Sequence, residues 1–77
     1  MVTVFRSRNL KFKINENDHN PPHVHVEGGG ATVRVNLITL EVMDDETNFS
    51  KSMMKYILEF IVENRITFLE EWEAKHG

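Results

Sequence analysis

Seventy-seven residues without a cysteine suit one small domain, residues 1–77, and exclude a disulfide framework or a thiolate metal site. Nine Lys and Arg against twelve Asp and Glu give a net charge of −3, which argues against general affinity for nucleic acid. No basic stretch followed by an apolar run opens the chain, and no uncharged apolar stretch approaches the ~20 residues of a membrane span. A cytoplasmic protein with no membrane contact is therefore expected.

The first half of the chain alternates with a period of two, as half-buried strands do: Val2 and Val4, then Leu10, Phe12 and Ile14 with Lys11 and Lys13 between them. Arg6 to Asn9 reads as the hairpin turn joining them. Arg6, Arg8, Lys11 and Lys13 make this hairpin basic, with no acid in residues 1–14, so a phosphate or an acidic partner is its natural ligand if it has one. Residues 15–22 are polar and end in Pro21-Pro22, neither of which can donate to a sheet ladder; they predict an exposed loop.

From His23 to Glu27 polar and apolar residues alternate strictly. After Gly28-Gly29-Gly30 the alternation resumes, with Ala31, Val33, Val35 and Leu37 against Thr32, Arg34 and Asn36. A glycine-turned hairpin follows. Keeping Val24 and Val26 opposite apolar partners requires an even loop, or an odd one with a bulge. A two-residue loop at Gly29-Gly30 sets His25 opposite Arg34; a loop one step earlier sets His23 there. Arg34 shares the histidine face in either case.

Residues 38–49 suit a short strand or irregular edge running into the acidic stretch Glu41, Asp44, Asp45 and Glu46. Ser50 is placed to cap a helix. Met54, Ile57, Leu58, Ile61, Phe68, Leu69 and Trp72 recur at three- and four-residue spacing. With no Gly or Pro from Lys51 to His76, the spacing predicts one unbroken helix of ~25 residues and ~38 Å, longer than the ~30 Å expected of so small a domain. Its last turns would overhang. The fold class implied is α+β: an antiparallel sheet of three or four strands with the long C-terminal helix on one face.

Residues two apart on a strand point the same way, so His23, His25 and Glu27 form a row with ~7 Å between neighbours. Plain solvation beside Arg34 and Thr32 is enough to explain it. A metal site would need a third ligand from Glu27, Asp18 or His19, and the Arg34 cation counts against a divalent ion, so no metal and no cofactor are expected. Acid–base work on a phosphodiester would use His23 and His25 as proton acceptor and donor, with Arg34 on the developing charge. Arg65 interrupts the apolar stripe between Ile61 and Leu69; it either snorkels or pairs with Glu41 or a ligand anion. Trp72 is core by default, but on an overhanging helix end it would join Phe68 and Leu69 in an exposed binding patch.

Val2-Thr3-Val4-Phe5-Arg6, Pro21-Pro22-His23-Val24-His25-Val26 and Glu63-Asn64-Arg65 with Phe68-Leu69 and Trp72 carry a resemblance to small bacterial proteins of the domain of unknown function 4160 family. The resemblance implies no settled activity. It does imply a context: such proteins are often encoded beside another small protein and are suspected of forming toxin–antitoxin-like pairs. The chain departs from that pattern around Leu37 to Phe49. The function expected is an interaction module that meets a small protein partner or a second copy of itself. The alternative is a small metal-independent ribonuclease built on His23, His25 and Arg34, with RNA as its ligand.

Overall fold

A computed structural model describes residues 2–44 and 46–76. Four strands, β1 (Val2–Ser7), β2 (Leu10–Asn15), β3 (His23–Gly28) and β4 (Ala31–Asn36), form an antiparallel sheet in the order of the chain. Two helices follow, α1 (Lys51–Glu63) and α2 (Arg65–His76). The α+β class expected from the alternation followed by the helical stripe is what is observed.

Both tight hairpins use two-residue turns. Arg8 and Asn9 take φ of 50° and 63°, and Gly29 and Gly30 take 57° and 83°. Positive φ at both central positions matches the right-handed twist of the flanking strands, and glycine adopts it at no steric cost. The β3–β4 register is thereby the one with His25 opposite Arg34, and Val24 and Val26 opposite Val35 and Val33. Gly28 is needed for a different reason: a Cβ there would stand 2.8 Å from Leu10 Cδ2 and 2.9 Å from the Asn9 carbonyl oxygen.

On the first hairpin the parity differs from the apolar reading of Val2 and Val4. Phe5 lies opposite Phe12, so β1 turns Thr3, Phe5 and Ser7 toward the helices. Val2 and Val4 fall on the open face, 48% and 39% exposed. Phe5 was the stronger anchor, because its ring meets Phe68 edge-on at 4.9 Å while Phe12 stacks on Phe60 at 4.5 Å. Leu10, Phe12 and Ile14 of β2 and the valines of β3 and β4 bury completely or nearly so against Ile57, Ile61, Phe68 and Trp72. A fully buried side chain of this kind contributes about 1.5–3 kcal/mol.

Ser50 caps α1, its Oγ accepting from the Met53 amide. The unbroken helix expected from the absence of Gly and Pro is interrupted at Asn64. That side chain donates its Nδ2 to the Phe60 carbonyl, 2.8 Å, the same oxygen that receives the Asn64 amide. Such back-bonding onto the i−4 carbonyl bends a helix. The bend removes the overhang: the longest dimension of the molecule is 34 Å, short of the ~38 Å of a straight helix.

Between β4 and α1, of the short strand or irregular edge expected over residues 38–49, the structure has the irregular edge, with one bridge from Val42 to Val35. Asn36 Oδ1 accepts from the amides of Ile38 and Thr39, turning the chain back on itself, and Leu40 sits at φ 64°. Asp45, part of the acidic run, lies outside the described residues. Arg65 holds this turn. Its Nε donates to the Leu37 carbonyl at 2.7 Å and Nη2 to the Ile38 carbonyl at 3.0 Å, so its partners here are backbone carbonyls and not Glu41. Arg65→Met keeps the stem but strands both carbonyls, and should lower unfolding stability in urea by about 1–3 kcal/mol. A change within error would show that the turn holds itself.

Candidate functional site

The helices cover one face of the sheet. The other face presents its residues in rows set by the register: Lys13, His25 and Arg34 beside the exposed Val4 in one, Arg6, Lys11, Glu27 and Thr32 in the next. Lys13 Nζ lies 2.7 Å from Glu27 Oε1, and its hydrogen bond holds the Glu27 carboxyl below the usual carboxylate range. The basic hairpin and the histidine row are thus parts of a single surface.

At the end of that surface the loop after β2 returns Asp18 to the histidines. His25 Nε2 donates to Asp18 Oδ2 at 2.9 Å, and His23 Nε2 stands 3.4 Å from the same oxygen. The two rings meet edge-on at 5.0 Å. His23 is 5% exposed, packed 5.3 Å from the Trp72 ring, and its Nδ1 donates to the Pro21 carbonyl at 2.8 Å. That bond sets the tautomer and leaves Nε2 toward Asp18. Among the described residues, Asp18, His23 and His25 are the group whose nitrogen and carboxylate oxygen atoms converge, all within 4.8 Å of one another.

The remaining site residues divide between this cluster and its surroundings. Arg34 lies opposite His25, but its guanidinium is held by Asp44. Nε and Nη2 donate to Oδ1 at 3.0 and 2.8 Å, and the backbone amide donates to Oδ2 at 2.6 Å. Glu27 is occupied by Lys13, and Arg65 by carbonyls of the 37–38 turn. Trp72 is 4% exposed and seals the cluster from the helix side, so no exposed patch forms around it.

Two contributors lay outside the sequence reading. His76 stacks on Trp72 with ring centroids 3.7 Å apart; its Nδ1 lies 2.9 Å from the Trp72 carbonyl oxygen and its Nε2 2.8 Å from the Asp18 carbonyl oxygen. Its position four residues after Trp72 was the available signal. Asp44 belongs to the acidic stretch, and nothing local to it predicts that it pairs with a strand residue ten positions earlier.

The family model described as Domain of unknown function (DUF4160) matches residues 9–73, and the chain belongs to that family. No curated protein matches the chain, and no solved structure does. No helix among the described residues is long and apolar enough to cross a membrane.

Burial raises the Asp44 carboxyl, but the side-chain and backbone hydrogen bonds of Arg34 outweigh it and leave the group below its ordinary value of 3.8. The unfolded chain therefore takes up this proton first as pH falls. The stability contributed by the pairing is whole above about pH 4 and fades as pH drops through the lower folded value. Asp44→Asn should flatten that part of the acid limb in melts recorded from pH 6 to pH 2, limits chosen to bracket the carboxylate range. An acid limb identical to wild type would show that the pair contributes nothing.

Proposed function

We propose that this member of the DUF4160 family is a one-domain cytoplasmic interaction module, the partner of another small protein in a toxin–antitoxin-like pair, and that it takes an extended acidic segment of that partner along β1. The observation that carries this is the difference between the two edges of the sheet. In a hairpin closed by a two-residue turn, alternate residues turn their amide and carbonyl outward. On β4 these are Thr32, Arg34 and Asn36, and they are used. The Thr32 carbonyl accepts from Thr47 Oγ1, the Arg34 carbonyl from the Met43 amide, the Arg34 amide donates to Asp44, and the Asn36 amide donates to the Glu41 carbonyl.

On β1 the same parity turns Val2, Val4 and Arg6 outward, and none of their backbone groups has a partner among the described residues. This edge carries no proline or lysine to deter pairing, and exposes two valines. Strand addition supplies backbone hydrogen bonds, and alternate side chains supply specificity. Arg6 and Lys11 on the adjoining open face select an acidic strand, and they disfavour a second copy of the chain, which would bring a like-charged hairpin alongside.

The ribonuclease alternative meets three obstacles in the same geometry. His23 is buried, the two Nε2 atoms face one carboxylate oxygen instead of opposite sides of a scissile bond, and Arg34 is already gripped by Asp44. Cleavage of RNA that survives chelator and disappears in His25→Ala would reinstate it.

Val4→Pro tests the edge directly, because the amide it removes points away from β2 and the ladder is kept. Co-expressed with the product of the adjacent gene, the wild-type chain should retain that product on affinity capture. Val4→Pro and Arg6→Glu should each weaken retention at least tenfold while keeping a wild-type circular dichroism spectrum. Retention unchanged in both variants contradicts the edge as the docking site, and a wild-type chain that self-associates in light scattering contradicts a separate partner.

A further inference from the structure

We propose that Asp18, His23 and His25 bind one first-row divalent transition-metal ion, of which zinc is the best fit, through Asp18 Oδ2 and the two Nε2 atoms. This site is separate from the β1 edge and does not depend on how that edge is used.

Three observations lead there. First, the donor set is two imidazoles and one carboxylate, which suits zinc and its neighbours and not magnesium or calcium, which take oxygen ligands. Bonds of about 2.0–2.1 Å in a tetrahedron set ligand atoms about 3.3 Å apart. The Asp18 oxygen is already 2.9 Å from one Nε2 and 3.4 Å from the other, and all three atoms lie within 4.8 Å. Closing on an ion requires sub-ångström to ångström adjustments of side chains, and the hydrogen that His25 Nε2 now donates to Asp18 must pass to Nδ1 through solvent so that Nε2 is free to ligate.

Second, the buried histidine carries the support expected of a metal ligand. His23 Nδ1 donates to the Pro21 carbonyl, so the hydrogen of the neutral ring is on Nδ1 and the Nε2 lone pair is aimed at Asp18 Oδ2. With the ring neutral, two electron-rich atoms face each other across 3.4 Å in a place His23 scarcely shares with water. Such a gap is stabilised by a cation between them. Asp18 is in turn held from behind, its carbonyl accepting from His76 Nε2, so the loop carries its ligand on an anchored backbone.

Third, the arginine that argued against a metal is neutralised where it stands. Arg34 is bound through three hydrogen bonds to Asp44, and the pair together presents little net charge to the cluster. The cluster is also reachable. The His25 side chain is 32% exposed and that of Asp18 20%, whereas that of His23 is 7% exposed. An ion would enter from the open sheet face and keep a coordination position toward solvent, the pattern of sites with three protein ligands.

Titration of the full chain with Co²⁺, followed by displacement with Zn²⁺, reads the proposal through visible absorption and through the ring resonances of the four histidines. One ion per chain should bind, with shifts concentrated on His23 and His25. Asp18→Asn and His25→Ala, both at partly exposed groups, should each weaken binding by more than the ~10–100-fold that loss of an outer-shell partner costs. His19→Ala, adjacent to Asp18, should leave affinity within about twofold; equal damage there would contradict the assignment.

Absence of Co²⁺ bands at millimolar ion, or shifts confined to His19 and His76, would overturn the proposal and mean that a proton alone bridges His23 and Asp18. Should either variant lose its fold, the wild-type resonance shifts decide the question by themselves.

Discussion

The constraint on which the structure depends is the parity imposed by its two-residue turns. A strand alternates in two ways at once, in the direction of its side chains and in the direction of its backbone hydrogen-bonding groups. Closing β3 and β4 with Gly29-Gly30 decides both. Val24, Val26, Val33 and Val35 go to the helices, His25 and Arg34 go to the open face, and Thr32, Arg34 and Asn36 turn their backbone outward. A one-residue slip would reverse every one of these. The 37–49 segment is built against that outward row, and β1, subject to the same rule through Arg8-Asn9, has no such segment.

The second organising element is the junction of the Asp18 loop with the end of α2. Trp72 lies under His23 and His76 lies on Trp72, and His76 reaches back to the Asp18 carbonyl. The bend at Asn64 belongs with this arrangement, because it turns α2 onto the sheet that an unbroken helix of the same length would overshoot. The histidine cluster is therefore seated on the end of α2, while the basic hairpin rests on both helices, through Phe5 against Phe68 and through Arg8, which lies 4.2 Å from the Tyr56 ring centroid. The two candidate surfaces share a sheet face but use different groups, the side chains of Asp18, His23 and His25 in one and the outward backbone of β1 in the other.

Much of this was legible in the residues. Alternation located β2, β3 and β4, the glycine run narrowed the register to two choices that both put Arg34 with the histidines, and Ser50 marked the start of α1. Long-range pairing was not legible. Asp44 meets Arg34 across a turn whose geometry depends on Asn36 accepting two amides, and Arg65 meets the carbonyls of Leu37 and Ile38. Val2 and Val4 misled, because hydrophobicity alone does not distinguish a core-facing pair from an open edge. Phe5, between them, was the informative residue, through its cross-strand partner Phe12. Asp18 stood only as one of three candidate third ligands, since a polar loop says little about where its tip returns.

The central claim is that parity leaves the outward amides of β1 unpaired, ready for an added strand. Residue-resolved amide hydrogen exchange tests it most directly. In the isolated chain Thr3, Phe5 and Ser7 should be protected and Val4 and Arg6 should exchange freely, and the acidic partner should slow exchange at Val4 and Arg6 specifically. Protection running evenly through β1 in the isolated chain, or no added protection at Val4 and Arg6 in the complex, would contradict the account.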